Sequence, residues 1–588
     1  MQLGYTDEKN AQIVVALLKK HNIKKIVASP GATNIPFVQS VQHDPFFEVY
    51  SVVDERSAGY IACGLSEESG EPVVLSCTGA TASRNYLSAL TEAYYRKIPI
   101  IAITSFNGNY SIGNLVAQNI DRTVIQQDVA KISVQLPIVK DAEDFWYTNL
   151  LVNKAILESF RHGKGPVHIN LPTNYLGSFT TKELPEVSTI RRYIADDNFP
   201  QIASESKIAI FFGAHHDLTS EEERIIDKFC ENHRAVVLCD HTSGYYGKFG
   251  LQSALACSNG RKGKEIYESL KPDIIFHFGE ISGDYSTLGY IEDLACPVWR
   301  ISKDGELRDK FKRLQNVFEC NIVTFFSKLD VVSHENDYYY LWENYDRELR
   351  MQIPELPFSN LWIAKELAQT WTSNTVIHLG ILNSLRCNNF FPLKQGVRTY
   401  SNVGGFGIDG TLSSLIGASY SDSNKNYIGY LGDLAFFYDM NSLGLRDIGK
   451  NIKIIVINNN GGAEFKLYSH VGATLKDSAD EFVAARNHYT NGQSSSEVVK
   501  KWSEAVGFQY FYSTSKENFK NEISDFLNFD DRPAVLECFT KIEDDSDAIR
   551  IIENIDQNFT SRDKMKNTLK TLLPNDLKKS VKKVLRKN

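Results

Sequence analysis

Short, mainly apolar runs recur along this chain with helix-length stretches between them, and that alternation restricts the fold more than any other feature. Residues 25–28, 73–75, 98–103 and 167–169 are such runs in the first third, 207–212, 235–239 and 273–278 in the middle, and 375–379, 427–431 and 453–457 in the last. An apolar run that does not alternate with polar residues reads as a strand covered on both faces, the situation of a parallel sheet with helices on each side. The expected class is therefore α/β. At 588 residues the chain exceeds what one hydrophobic core supports. Three domains are expected, at 1–185, 195–340 and 350–545, followed by a basic amphipathic tail at 556–588.

The chemistry concentrates in the last third. Gly432-Asp433-Leu434 closes one strand candidate, and Asn458-Asn459-Asn460-Gly461-Gly462 closes the next, with Asn460 27 residues after Asp433. A helix over roughly 439–445 between them makes a parallel crossover unit, whose strand ends form the usual ligand crevice. Asp433, Asn460 and the Gly462 carbonyl are hard oxygen donors suited to Mg2+ on a diphosphate. The glycines permit close backbone approach. On these residues alone, an Asp at a strand end and an Asn-Gly turn serve equally well as structural punctuation.

These two segments resemble the metal and diphosphate motif of thiamine diphosphate (ThDP) enzymes, and Val53-Asp54-Glu55-Arg56-Ser57-Ala58 resembles the segment that carries their activating glutamate. The resemblance implies a three-domain ThDP-enzyme fold with parallel sheets flanked by helices: an aminopyrimidine-binding domain, a central α/β domain and a diphosphate- and metal-binding domain. It implies that Glu55 hydrogen-bonds N1′ of the aminopyrimidine, with Gln118 a polar catalytic residue near substrate. Gly31, Thr78, Asn85, Ser384, Gly405, Ile408, Gly432, Leu434 and the three metal donors are the implied cofactor contacts, Ile408 propping the bent cofactor. The implied cofactors are ThDP and Mg2+, and the implied reaction is decarboxylation of a 2-oxo acid with transfer of the acyl carbanion to a carbonyl acceptor. Protonation instead of transfer would give a simple decarboxylase. Because the family places its cofactor between the first domain of one subunit and the last domain of another, a dimer or tetramer is expected.

Within the family, Ser29-Pro30-Gly31, Asn85-Tyr86-Leu87 and Gly407-Ile408-Asp409-Gly410 resemble the menaquinone-pathway synthase branch. The departures from it are specific. Thr33, Asn107, Asn388 and Val403 stand where that branch has arginines for substrate carboxylates. Other polar groups lie in or beside the matching segments: Asn34, Arg84, Arg122, Arg386, Glu464, Lys466 and His470. Each of these side chains is also an ordinary candidate for a solvated face or a structural ion pair. Taken as a pocket, they suit a polar, neutral or sugar-like acceptor in a specialised biosynthetic step. A catalytically silent member of the fold, acting as a binding subunit, is the competing class, and the joint retention of Glu55, Ile408, Asp433 and Asn460 speaks against it.

A net charge of −8 offers no general attraction to nucleic acid, and nine cysteines without paired ligand spacing point to a reducing, cytoplasmic setting. The first residues lack the pattern of an export signal. Residues 561–588 carry a formal +8 on a chain whose total is −8, with Leu577, Val581, Val584 and Leu585 near helical spacing, so weak peripheral contact with anionic lipid is expected there. In the middle third, Gly213-Ala214 and Gly279-Glu280 are weak phosphate-loop fragments, and a flavin or other nucleotide in that domain stays open.

Overall fold

The computed structural model describes residues 4–174, 177–330, 333–491 and 497–555. The basic tail lies outside them. Three parallel-stranded sheets, each flanked by helices, organise the chain, in keeping with the mainly apolar runs. The chain divides into two compact units, one running to Asp197 and including Lys303–Cys320, the other comprising Asn198–Ser302 and the chain from Asn321 onward.

In the first unit β1 (Lys25–Ala28), β2 (Glu48–Ser51), β3 (Val73–Thr78), β4 (Ile100–Phe106), β5 (Ser133–Gln135) and β6 (Val167–Pro172) form a sheet of order β2-β1-β3-β4-β6-β5. β4 and β6 are buried along their whole length, so both faces are covered. β7 (Arg191–Ile194) pairs in parallel with β13 (Leu314–Glu319) in the same unit. The returning 303–320 segment is tied down by polar contacts. Arg161 Nη1 reaches Glu306 Oε1 at 2.7 Å and its Nε reaches Glu319 Oε2 at 3.0 Å, while Trp146 Nε1 donates to Asp309 Oδ2 at 2.8 Å. Nothing in the hydropathy of 303–320 announces that return.

In the second unit β8 (Ile208–Phe212), β9 (Ala235–Cys239), β10 (Gly250–Gln252), β11 (Ile274–Phe278) and β12 (Val298–Ser302) run in the order β10-β9-β8-β11-β12. The strand order reverses between β8 and β11, the point where such sheets open a ligand crevice. Here the crevice is filled by backbone. Gly213 N donates to Phe278 O at 2.9 Å, Glu280 N donates to Ala214 O at 2.8 Å, and a Cβ on Gly213 would fall 1.9 Å from Glu280 O. The two glycine-containing turns read as phosphate-loop fragments thus close on each other.

The last sheet holds β14 (Thr375–Leu379), β15 (Arg398–Ser401), β16 (Asn426–Gly432), β17 (Ile452–Asn458), β18 (Gln509–Ser513) and β19 (Ala534–Phe539), in the order β15-β14-β16-β17-β19-β18. β17 is buried throughout and pairs in parallel with β16 and β19. The crossover between β16 and β17 differs from the expected helix over 439–445: the α-helix is Asp433–Asp439, and Met440–Gly444 is a 3-10 turn. Asp433 therefore opens the helix directly at the strand end.

Candidate cofactor site

In the first unit the candidate residues gather at the carboxyl ends of β1, β3 and β4. Glu55 is the first residue of the helix Glu55–Ser69, where the positive helix end favours a carboxylate. Asp54 caps that helix by accepting from Ser57 N at 2.7 Å, and this backbone bond, with the Ser57 hydroxyl, holds its carboxyl below the usual range. Asn85 Nδ2 donates to Glu55 Oε2 at 3.2 Å, so two residues 30 apart meet with Glu55 half-buried. Gly31 passes so close to Thr78 that a Cβ would fall 2.6 Å from Thr78 Cβ. Thr33 is buried, its hydroxyl bonded to Thr78 Oγ1 and to Ser105 O, the latter at 2.7 Å.

Asn34 is wholly buried, donating to Ser29 O at 3.0 Å and Ser76 Oγ at 3.3 Å, which ties the loop after β1 to β3. Asn107 follows β4 with its Oδ1 buried and unpaired. Arg84 is exposed and gives Nη2 to Asp121 O at 3.0 Å. Gln118 lies on an exposed loop with φ +62, a left-handed conformation uncommon outside glycine, asparagine and aspartate.

In the second unit Asp433, Asn460 and Gly462 come together at the ends of β16 and β17. Asp433 is buried; its Oδ1 accepts from Leu434 N at 2.8 Å and its Oδ2 from Gly461 N at 2.9 Å. Burial pushes its carboxyl up to about 7, against the lowering effect of those amides. Asn460 has φ +69 and donates its Nδ2 to Asn487 Oδ1. Gly462 N donates to Ala484 O at 2.6 Å, and a Cβ there would lie 3.0 Å from Phe465 Cδ2. A cavity of about 710 Å³ opens beside this cluster, lined among others by Asn459, Asn460, Arg486, Asn487 and Lys541.

The donor set passes the chemical test for a hard divalent cation. It offers one carboxylate, one side-chain amide and one backbone carbonyl, all oxygen. Among the described residues Asp433 has no cationic partner, and no group of three or more His, Cys, Asp or Glu side chains converges anywhere. A buried carboxylate left without a counter-charge is what an incoming metal ion would satisfy.

Other candidates fall nearby or are occupied elsewhere. Gly405 has open space around its Cβ direction, and Ile408 is half-buried against two apolar clusters. Arg386 and Glu464, 78 residues apart, form a two-pronged pair, with Nη1 to Oε2 at 2.6 Å and Nη2 to Oε1 at 2.9 Å. Arg386 Nη1 also reaches Asn383 Oδ1 at 2.6 Å, and its Cζ lies 5.0 Å from the centre of the Tyr285 ring. Asn388 is buried and donates to Ser384 O at 2.9 Å; Val403 is buried in the apolar core. Lys466 pairs with Asp480 at 2.6 Å, and His470 Nδ1 accepts from Gly472 N at 2.9 Å.

Sequence reasoning missed Ala484 and Asn487, whose segment carries no periodic pattern. It also missed Asp545, which accepts from Asn459 Nδ2 at 2.8 Å and Asn360 N at 2.7 Å and so anchors the ligand loop from below. Its carboxyl is pushed up to about 6 by burial.

The three parallel sheets flanked by helices define an α/β protein, and comparison with known proteins shows its family. Residues 8–131 match the thiamine pyrophosphate enzyme N-terminal TPP binding domain. A 2-succinyl-5-enolpyruvyl-6-hydroxy-3-cyclohexene-1-carboxylate synthase of Phocaeicola vulgatus is 31% identical over 567 residues, covering 93% of this chain and 98% of that protein. The synthase of the same name from Bacteroides fragilis is 30% identical over 92% of this chain and 98% of its own length, and that of Porphyromonas gingivalis is 26% identical over 92% and 96%. The chain belongs to the thiamine diphosphate enzyme family, in the branch of these synthases, and it is an enzyme. ThDP is the cofactor characteristic of that class.

Proposed function

We propose that this enzyme decarboxylates a 2-oxo acid with ThDP and Mg2+ and transfers the acyl carbanion to a carbonyl or related acceptor. The single observation that carries the reading is the buried Asp433 carboxylate facing the Asn460 and Gly462 turn without a counter-charge. In this reading the first sheet with its helices is the aminopyrimidine-binding domain, the middle sheet the central domain, and the last sheet the diphosphate domain. Asp433, Asn460 and the Gly462 carbonyl hold Mg2+, and Gly405 and Ser384 contact the cofactor. When bound, ThDP supplies an electron sink for the carbanion left by loss of CO2.

The chain's own residues orient and protect that chemistry. Glu55 holds a hydrogen bond at N1′ of the aminopyrimidine, and Asn85 fixes the carboxylate's second oxygen. Ile408 offers an apolar side chain where the cofactor must bend, and Gln118 offers an amide to the substrate.

The acceptor differs from a substrate held by several arginines. Thr33, Asn388 and Val403 are buried and engaged within the protein, and Arg386 is already matched by Glu464. A neutral or hydroxylated acceptor suits this surface better than a multiply charged one. The test is CO2 release from purified enzyme with ThDP and Mg2+ against pyruvate, 2-oxoglutarate, phosphonopyruvate and larger 2-oxo acids, with product mass recorded with and without aldehydes and ketones. A ligated product supports the proposal. CO2 accompanied only by the free aldehyde, whatever acceptor is supplied, overturns the transfer step in favour of a simple decarboxylase.

A further inference from the structure

Arg122 is 6% exposed, yet its guanidinium has no hydrogen-bond or ion-pair partner among the described residues, and Nη1 is buried and unpaired. Its backbone carbonyl accepts from Asn170 Nδ2 at 3.0 Å, so the main chain is fixed while the charge is left uncompensated. The Cζ lies 5.1 Å from the centre of the Phe106 ring, and a Cβ on Gly79 would sit 3.4 Å from Nη1. That places the cation over the turn leaving β3, next to the end of β4.

Its surroundings add positive charge. Arg84 lines the same recess, its only hydrogen bond among the described residues going to the Asp121 carbonyl, and its charge adds to burial in pushing Arg122 down to about 10. His168, behind them, is held neutral, its two ring nitrogens bonded to Thr104 Oγ1 at 2.8 Å and Ser133 Oγ at 2.9 Å. A buried guanidinium without an anion is costly, and a second cation beside it raises that cost. Two carboxylates lie at this end of the sheet: Glu55, which like Arg122 acts on Cys77 at a distance, and Asp121, which feels the charge of Arg84; neither hydrogen-bonds the Arg122 guanidinium among the described residues.

We infer that Arg122, assisted by Arg84, binds a carboxylate of the substrate at the strand ends of the first unit. The site is a different one from the four positions at which arginines are replaced. A small recess of about 20 Å³ adjoins Arg122 and opens outward, and the flat guanidinium fork matches a planar carboxylate. The inference rests on the 2-oxo acid reading above.

The experiment is calorimetric titration of the ThDP-free full chain with pyruvate, 2-oxoglutarate and inorganic phosphate, for wild type, Arg122→Met, Arg122→Lys and Arg84→Met, with ThDP and Mg2+ titrated separately. The expected result is 2-oxo acid binding by the wild type, weakened at least about 30-fold in Arg122→Met, partly restored in Arg122→Lys and weakened several-fold in Arg84→Met, with ThDP affinity within about twofold throughout. Phosphate binding as tight as that of the 2-oxo acids, absence of 2-oxo acid binding by the wild type, or unchanged affinity in Arg122→Met overturns the inference. Arg84→Met and Arg122→Lys keep the test open if Arg122→Met fails to fold. Wild-type chain that binds no ThDP overturns the underlying functional reading instead.

Discussion

In the proposed reading, Asp433 links the fold to cofactor chemistry. Its backbone opens the helix directly after β16, and its buried carboxylate accepts two backbone amides without a counter-charge among the described residues. Asp433→Ala is expected to weaken Mg2+-dependent ThDP binding by at least about 100-fold, since it removes the only charged donor from the proposed set. Titration of ThDP at fixed Mg2+ checks this; unchanged affinity would remove Asp433 from the metal site. That Asp433 and Asn460 follow adjacent parallel strands was legible because the two segments are close in sequence. Asn34 was not, since nothing in Ala32-Thr33-Asn34 indicates that its amide points inward to Ser29 and Ser76.

At the scale of elements, side chains distant in sequence lock helices and loops to the sheets. The Arg386–Glu464 pair joins the helix Asn383–Asn389 to the turn after β17, with both side chains mostly buried. Glu464→Leu alone leaves a buried guanidinium without its partner and is expected to cost about 3 kcal/mol, whereas Arg386→Met combined with Glu464→Leu is expected to be within about 1 kcal/mol of wild type. Thermal unfolding of wild type, Glu464→Leu, Arg386→Met and the double variant decides it, and an additive double variant would show that the pair is not coupled. Sequence could present both residues as candidates, but two side chains 78 positions apart carry no signal of their pairing.

Asp284 gives this scale a pH dependence. It caps the helix Tyr285–Glu292 through Ser286 N at 3.0 Å and Thr287 N at 3.1 Å, and burial, reinforced by the charge of Asp240, pushes its carboxyl up to about 7. The native chain thus holds this proton more tightly than the unfolded chain. The stability it contributes is complete below about pH 4 and is lost as pH rises through about 7, on the order of a few kcal/mol. Asp284→Asn, which keeps an acceptor without the charge, is expected to unfold at a higher temperature than wild type at pH 8 and to lose that advantage at pH 4. An equal difference at both pH values would contradict the assignment.

At the scale of the whole molecule, the apolar runs made the three parallel sheets legible, because a strand buried on both faces cannot hide its composition. The assignment of 303–320 to the first unit was not legible, since it depends on Arg161, Glu306, Glu319, Trp146 and Asp309 meeting in space. The proposed dimer, with cofactor held by the first domain of one copy and the last domain of another, makes a prediction of its own. Co-expressed Glu55→Gln and Asp433→Ala chains, each inactive alone, are expected to recover roughly a quarter of wild-type activity through mixed dimers that retain one intact site. Recovery near zero would place both residues' functions within a single copy.

Whether Glu55 activates ThDP on this chain can be read from hydrogen–deuterium exchange at C2 of the bound cofactor, followed by quenched-flow NMR, because that exchange requires no knowledge of the substrate. Wild-type enzyme is predicted to accelerate exchange at least about 100-fold over free ThDP, and Glu55→Gln to lose most of that acceleration while still binding the cofactor. Exchange no faster than in solution, or equally fast in the variant, would contradict the account.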